Sequence, residues 1–292
     1  MQLNRRDFLR WSAAGAGVLL LDATPSQKAV ASPAAMAMVY DATKCVGCKA
    51  CQVACKRWNK LPPESAEGLE LYDSPLGLSA TTWTLIKVRK STEGNKVLAP
   101  FIKYQCMHCA QASCVSVCPT GAAAHHGEYV LIDQTWCIGC GYCVAACPFD
   151  VPHLGEPKST ARKCTFCIDR VTQGQWPACA EACPVEALTF GPRAELLAMA
   201  KERVQTLRNN GTPQAHLYGE TELGGLGYMC VLREPASLYG LPDVPRLATM
   251  NVLGQWLSGL VTAGVIAAVP FWLFFRRREE LVAKKKLEGG GG

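Results

Sequence analysis

Cys45-Val46-Gly47-Cys48-Lys49-Ala50-Cys51-Gln52-Val53-Ala54-Cys55 returns in pattern 92 residues later as Cys137-Ile138-Gly139-Cys140-Gly141-Tyr142-Cys143-Val144-Ala145-Ala146-Cys147. Both stretches are spaced C-x2-C-x2-C-x3-C. The echo begins upstream, where Asp41-Ala42-Thr43-Lys44 corresponds to Asp133-Gln134-Thr135-Trp136. Two further groups, Cys106, Cys109, Cys114, Cys118 and Cys164, Cys167, Cys179, Cys183, keep the outer gaps and widen the middle one to four and eleven residues. Proline follows the last cysteine of three groups, as Pro119, Pro148 and Pro184, whereas Lys56 stands there in the first. Sixteen of the seventeen cysteines thus belong to four clusters built on a repeated unit.

The rest of the composition sets the frame. The chain of 292 residues is 49% apolar and 18% charged, as a folded protein is and a disordered or collagenous one is not. Of the net charge of +6, residues 1–31 hold +2 and residues 276–292 hold +3, so the body carries only +1 and offers no basic face for nucleic acid.

Both ends carry targeting signals. Arg5-Arg6-Asp7-Phe8-Leu9-Arg10, an uncharged stretch from Trp11 to Leu21 and the small-x-small site Ala29-Val30-Ala31 make residues 1–31 a signal peptide too short to span a bilayer. The arginine pair resembles the twin-arginine (Tat) export signal, a route that carries folded proteins with cofactors already inserted; an ordinary Sec signal is the alternative. Residues 247–275 contain no charge and at ~1.5 Å per residue exceed the ~30 Å hydrocarbon thickness, so Val252–Phe275 is expected to cross the membrane. A buried core helix is the alternative, disfavoured by Arg276-Arg277-Arg278, a positive-inside signal that puts the C-terminus in the cytoplasm. Ser258 and Thr262, with Gly254, Gly259 and Gly264, form a small and polar stripe for packing on another membrane helix. Pro270 is expected to bend the last turn. Residues 276–292 read as a basic cytoplasmic tail whose end, Leu287 to Gly292, looks like a cloning scar.

Three chemistries compete for the cysteines. Disulfides suit an exported chain, but cysteines two residues apart, three in a row, make poor disulfide geometry, and Tat cargo completes its metal sites before meeting an oxidant. Zinc wants two separated C-x2-C knuckles, which only the fourth group imitates. A [4Fe–4S] cubane needs three close thiolates and a distant fourth. The run C-x2-C-x2-C-x3-C-P supplies them, with its last cysteine serving a neighbouring cluster. Iron–sulfur is the reading that uses all four groups.

On these motifs, residues from about Val39 to Pro192 resemble the four-cluster, ferredoxin-type electron-transfer subunits of molybdenum and nickel–iron respiratory enzymes. The resemblance implies an α+β fold of two interlocked ferredoxin-like dicluster modules followed by a single C-terminal transmembrane helix. It also implies the ligand sets, since in that family the first cysteine group pairs with the fourth and the second with the third. The cofactor-binding sets would be Cys45, Cys48, Cys51 and Cys183; Cys164, Cys167, Cys179 and Cys55; Cys106, Cys109, Cys114 and Cys147; and Cys137, Cys140, Cys143 and Cys118. All sixteen would act as iron ligands of four [4Fe–4S] clusters.

The layout adds detail. A Tat signal, four clusters, the segments Leu217-Tyr218-Gly219-Glu220 and Tyr239-Gly240-Leu241-Pro242, and one membrane helix are most similar to HybA-type subunits of periplasmic nickel–iron hydrogenases. The β subunit of respiratory formate dehydrogenase has a comparable helix and Gly-Leu-Pro segment but in familiar cases no signal peptide of its own. The expected domains are the signal (1–31), the four-cluster domain (32–192, with an insertion at 61–100), a helix and docking extension (193–246), the membrane helix (247–275) and the tail (276–292).

The expected function is electron relay between a catalytic subunit, a hydrogenase or a molybdoenzyme, and an integral membrane subunit that handles quinone. The body would lie on the periplasmic side of the bacterial cytoplasmic membrane. No catalytic residue is assigned, because no phosphate loop, nucleophile elbow or carboxylate dyad occurs. A zinc-stabilised structural or assembly protein is the alternative of another class. Lys44, Lys49, Lys56, Arg57, Lys103, Arg162, Lys163 and Arg170 flank the loops, either as solvated surface or as charges that raise cluster potentials. None of His108, His125, His126, His153 and His216 forms a helical metal-binding pair, and His108 is expected at the surface or beside a ligand. Cys230 is expected as a buried core thiol, and Trp136 and Trp176 as packing. Thr81–Lys90 and Tyr129–Ile132 read as strands and Arg193–Arg208 as a helix.

Overall fold

The computed structural model describes residues 30–63, 75–89, 91–93, 96–98, 100–155, 160–249 and 252–288; all but the last two residues of the expected signal peptide, the middle of the insertion and the last four residues of the tail lie outside them. In chain order the strands are β1 (Met36–Asp41), β2 (Leu85–Val88), β3 (Ser91–Glu93), β4 (Lys96–Leu98), β5 (Phe101–Tyr104), β6 (Ala123–His126), β7 (Tyr129–Ile132), β8 (His153–Leu154), β9 (Ala161–Arg162), β10 (Leu188–Pro192), β11 (His216–Tyr218) and β12 (Tyr228–Leu232). The helices are α1 (Ala50–Trp58), α2 (Ser113–Ser116), α3 (Tyr142–Ala146), α4 (Ile168–Val171), α5 (Ala178–Glu181), α6 (Arg193–Asn209) and α7 (Val252–Glu288).

One four-stranded sheet, in the order β10-β1-β12-β11, organises residues up to Leu247. β1 runs antiparallel to β10 and parallel to β12, with Met38 opposite both Phe190 and Tyr228. Alternation along β1 and β12 gives the sheet two apolar faces. Ala37, Val39, Met229 and Val231 face α6, which meets them with Leu196, Ala200, Val204 and Leu207, a stripe at helical spacing. Met38, Tyr40, Tyr228, Cys230 and Leu232 face the cysteine loops, where Phe166, Phe190 and Tyr218 complete the core. The segment after residue 192 therefore supplies half the strands of the sheet and the helix that covers it. The Gly-Leu-Pro segment folds back on it, since the Tyr218 hydroxyl donates to Pro242 O at 2.7 Å.

Smaller hairpins brace the loops. β2 pairs with β5, and β6 with β7 through a two-residue turn in which Gly127 takes φ 62°. Of the strand expected over Thr81–Lys90, the described residues, which end there at Arg89, form one only over Leu85–Val88. Ser79 Oγ accepts the backbone N–H groups of Thr81 and Thr82, at 3.1 and 2.9 Å, so that hydroxyl holds a turn where alternation suggested a strand. The other two expectations match β7 and α6 to within a residue.

α7 belongs to a second compact unit, residues 248–292. Trp256–Val282 is long and apolar enough to cross a membrane, and its side chains are exposed, Trp256 at 68% and Phe271 at 68%. The helix does not stop at Phe275 but continues through Pro270 and the arginines to Glu288. Arg, Glu, Lys and Ala are good helix formers, and Arg276 pairs with Glu280 one turn on at 3.4 Å.

Candidate iron–sulfur centres

Each cysteine loop is shaped by its own backbone first. In both copies of the repeat the aspartate accepts the backbone N–H and the hydroxyl of the threonine two residues on: Thr43 to Asp41 at 2.9 and 2.6 Å, Thr135 to Asp133 at 2.7 and 2.6 Å. The duplicated Asp-x-Thr is thus a turn that launches the chain into the first cysteine. The residue before the second cysteine is left-handed in all four loops: Gly47 (φ 71°), His108 (46°), Gly139 (68°) and Phe166 (59°). Glycine takes that conformation freely. His108 and Phe166 are held in it by each other, ring centroids 4.8 Å apart, and by Tyr129, which stacks on Phe166 at 4.9 Å. A second left-handed residue follows each Cys-Pro pair: Gly121, Asp150 and Glu186.

These turns gather the cysteines across groups. Cys45, Cys48, Cys51 and Cys183 line one cavity. Cys55, Cys164, Cys167 and Cys179 line a second, and Cys106, Cys109, Cys114 and Cys147 a third. Cys143 interacts electrostatically with Cys137, Cys140 and Cys118. The sets also adjoin in series: Cys51 is close enough to Cys179, Cys164 to Cys106, and Cys114 to Cys143 for their charges to interact. Both ends of the series have an exposed cysteine, Cys48 and Cys140.

The donor set fits a cubane better than a single ion. Among the described residues no three His, Cys, Asp or Glu side chains converge as a mononuclear site requires. The thiols instead ring cavities, and polar hydrogens point at their sulfurs. Ala123 N–H donates to Cys118 Sγ at 3.3 Å, Ala161 to Cys137 at 3.3 Å, Phe166 to Cys164 at 3.4 Å and Ala187 to Cys183 at 3.3 Å. Gln105, 1% exposed, lines the second cavity with an Nε2 that has no acceptor among the described residues. A bound inorganic sulfide would supply one. Burial pushes the Cys51, Cys55, Cys164 and Cys167 thiols up to about 12, so iron, not solvent pH, must release their protons.

The flanking cations divide. Lys44, Arg57 and Arg162 are exposed, as a solvated surface would be. Lys103 (1% exposed) and Lys163 (4%) are not. Burial opposes the Lys103 ammonium, but Cys179, Cys51, Cys164 and Cys55 outweigh it and raise its pKa. Burial likewise opposes Lys163, and Cys106, Cys114 and Cys164 raise it. Arg170, also buried, stacks on Trp58 at 4.4 Å and pairs with Glu181. These burials carry no signal in the residue types, and the sequence alone does not reveal them.

His108 is 1% exposed, so it is not a surface residue; its Nδ1 accepts the Val130 N–H at 3.1 Å, and burial holds its pKa well below the usual histidine range. Trp176 packs against Phe190 at 6.3 Å. Trp136 does not pack: it is 66% exposed beside Ile138 (69%) and Tyr142 (59%), around the exposed Cys140. Cys230 is fully buried on the core face of β12.

Comparison with known proteins agrees with this chemistry. Two 4Fe-4S dicluster domain families match residues 44–122 and 97–193, and the twin-arginine translocation pathway signal family matches residues 2–21. The chain is 36% identical over 280 residues to the iron–sulfur subunit of the nitrate-inducible formate dehydrogenase of Escherichia coli K12, covering 94% of this chain and 93% of that one. It is 37% identical over 253 residues to the formate dehydrogenase-O iron–sulfur subunit of the same strain, covering 85% and 82%. To the hydrogenase-2 operon protein HybA of Escherichia coli O157:H7 it is 35% identical over 285 residues, covering 85% and 86%. The names of these three relatives point to two kinds of enzyme, so the narrower HybA-type resemblance is one of several equally close. With dicluster matches over its cysteine-bearing body and relatives along most of its length, the chain belongs to the iron–sulfur electron-transfer subunits of the formate dehydrogenase and hydrogenase family, with four [4Fe–4S] clusters and an export signal.

Proposed function

We propose that the four sets Cys45/Cys48/Cys51/Cys183, Cys55/Cys164/Cys167/Cys179, Cys106/Cys109/Cys114/Cys147 and Cys118/Cys137/Cys140/Cys143 are the cluster ligands, and that electrons pass along them in that order. The observation that carries this reading is the serial adjacency of the sets through Cys51 and Cys179, Cys164 and Cys106, and Cys114 and Cys143. Bound clusters supply one-electron redox centres. The protein's part is to hold the thiolates, exclude water from the middle sets and leave each end of the row open.

At one end Val46 and Val53 are exposed near Cys48; at the other Trp136, Ile138 and Tyr142 surround Cys140. Exposed apolar side chains around a surface cysteine suit docking of redox partners. The proposed partners are a periplasmic catalytic subunit and a quinone-reactive membrane subunit, with α7 in the bilayer and the arginines at 276–278 in the cytoplasm. A nickel–iron hydrogenase is one reading of the catalytic partner, suggested by the chain's own export signal and ranked no higher than the next. Formate dehydrogenase is the second reading, favoured by the iron–sulfur subunit that matches 94% of the chain.

Purification of the membrane complex under anaerobic conditions tests both levels. About sixteen iron and sixteen acid-labile sulfide per chain are expected, with nickel in the large subunit for the first reading and molybdenum for the second. A colourless preparation that holds zinc ends the relay reading altogether.

A further inference from the structure

We infer that Lys103 and Lys163 set the potentials of the relay, each as a cation buried between two consecutive clusters. The inference rests on the ligand sets proposed above.

Lys103 lines the cavity of the first set, and its charge interacts with Cys179, Cys164 and Cys55 of the second. Lys163 lines the cavity of the third set with Cys106 and Cys114, and precedes Cys164 of the second. Neither has a carboxylate partner among the described residues. Lys103 donates to Gln105 Oε1 and lies 5.1 Å from the centroid of the Tyr228 ring; Lys163 donates to the carbonyls of Val130 and, at 3.2 Å, Cys164. A buried ammonium with only neutral acceptors is strongly unfavourable unless an anion lies nearby. The thiolate sets are the anions at hand.

The charge has a direction of action. A cubane in its 2+ core state with four thiolates carries roughly −2, and reduction by one electron takes it to roughly −3. A fixed cation favours the more negative state, so it raises the potential of every cluster it faces. Placed between two clusters, it also offsets their mutual repulsion. Among the described residues no lysine is among the groups acting on Cys143 or Cys118 of the fourth set: Cys143 interacts with Cys137, Cys140 and Cys118 and, across the sets, with Cys114, and Cys118 is held by backbone and Thr120 donors. Lys103 has a further effect, because its bond to Gln105 Oε1 fixes the amide whose Nε2 is the unpartnered donor at the second cavity.

The test is an EPR-monitored redox titration of the intact membrane complex carrying Lys103→Met or Lys163→Met, with iron measured alongside. Each variant is expected to lower two of the four midpoints. One midpoint should fall in both variants and one in neither. At fixed ambient potential the reduced-to-oxidised ratio of an affected cluster should drop roughly tenfold, which is about 59 mV for one electron. Lys103→Arg and Lys163→Arg keep the charge and are expected to leave full iron and unmoved midpoints.

Full iron with no shift in the Met variants, an equal shift of all four midpoints, or an Arg variant that shifts as far as Met would overturn the inference. If a Met variant loses iron, its Arg counterpart decides: full iron and unmoved midpoints support a role for charge, and loss of iron there too overturns it. An incorrect ligand set would instead show in the unaltered complex, as ligand variants that remove iron in the wrong combinations.

Discussion

The first and third cysteine loops have the same spacing and the same Asp-x-Thr turn, yet the molecule uses them differently. The first launches α1, nine residues long; the third launches α3, five residues long. Pro148 ends the third, since it lacks a backbone N–H and restricts the residue before it, and Cys147 is extended (φ −76°, ψ 117°). Lys56 lets the first continue to Trp58, whose Nε1 donates to Asp169 at 2.8 Å. Lys56 itself donates to the carbonyls of Pro62 and Thr81, both at 3.0 Å, and so ties the insertion to the loop. The sulfur of the last cysteine also finds a different donor. After Cys-Pro it is a backbone N–H, as from Ala123 and Ala187; for Cys55 it is the Asn59 side chain, at 3.7 Å. One missing proline therefore converts a closed turn into a docking helix.

Their surroundings differ as well. Arg203 of α6 clamps the first turn, with Nε 2.9 Å from Asp41 Oδ2 and Nη2 2.9 Å from Thr43 Oγ1. The corresponding Asp133 faces solvent. Lys103 lies beside the first loop, and exposed aromatic side chains surround the third. The turn that enters the first loop is built into the core, whereas the turn that enters the third faces solvent.

The sharpest break of this comparison is a ligand exchange. Cys140→Ser, at the exposed end, is expected to remove about a quarter of the iron and leave the body folded, whereas Cys51→Ser should remove about half. Cys51 is buried on the helix that also carries Cys55 of the next set, so its loss disturbs two sites. Iron and sulfide analysis of the exported protein reads the difference, and equal losses would sink it.

Proline is the next lever. Lys56→Pro would place in the first loop the residue found in the other three. Here it falls inside a helix, and a cost of about 3 kcal/mol is expected, with loss of the Trp58–Asp169 bond. Denaturant unfolding of the loaded protein, followed by Trp fluorescence, measures it; an unchanged midpoint would mean that α1 does not need its last turn.

The turns give the smallest effect. Asp41→Ala removes a buried acceptor of Thr43 and Arg203 and should cost about 2 kcal/mol. Asp133→Ala removes the same turn where water can replace it, and a smaller loss is expected. Paired thermal melts of the two variants rank them, and a larger loss at Asp133 would reverse the assignment of core and surface turns.

Cysteine spacing, the left-handed glycines at 47 and 139, and the proline pattern are short-range matters. A few neighbouring residues settle a turn, which is why four cluster-binding loops, the export signal and the apolar helix were legible in the chain alone. The insertion strand is shorter than its residue types suggest because the Ser79 hydroxyl competes locally with strand pairing. The sheet joining Met36–Asp41 to strands near residues 190, 217 and 230, the burial of Lys103 and Lys163, and the contrast between two loops of identical spacing could not be read there. Each depends on which distant segment arrives beside which. A side chain's dielectric surroundings and charged neighbours come from that long-range packing, not from its own residue type.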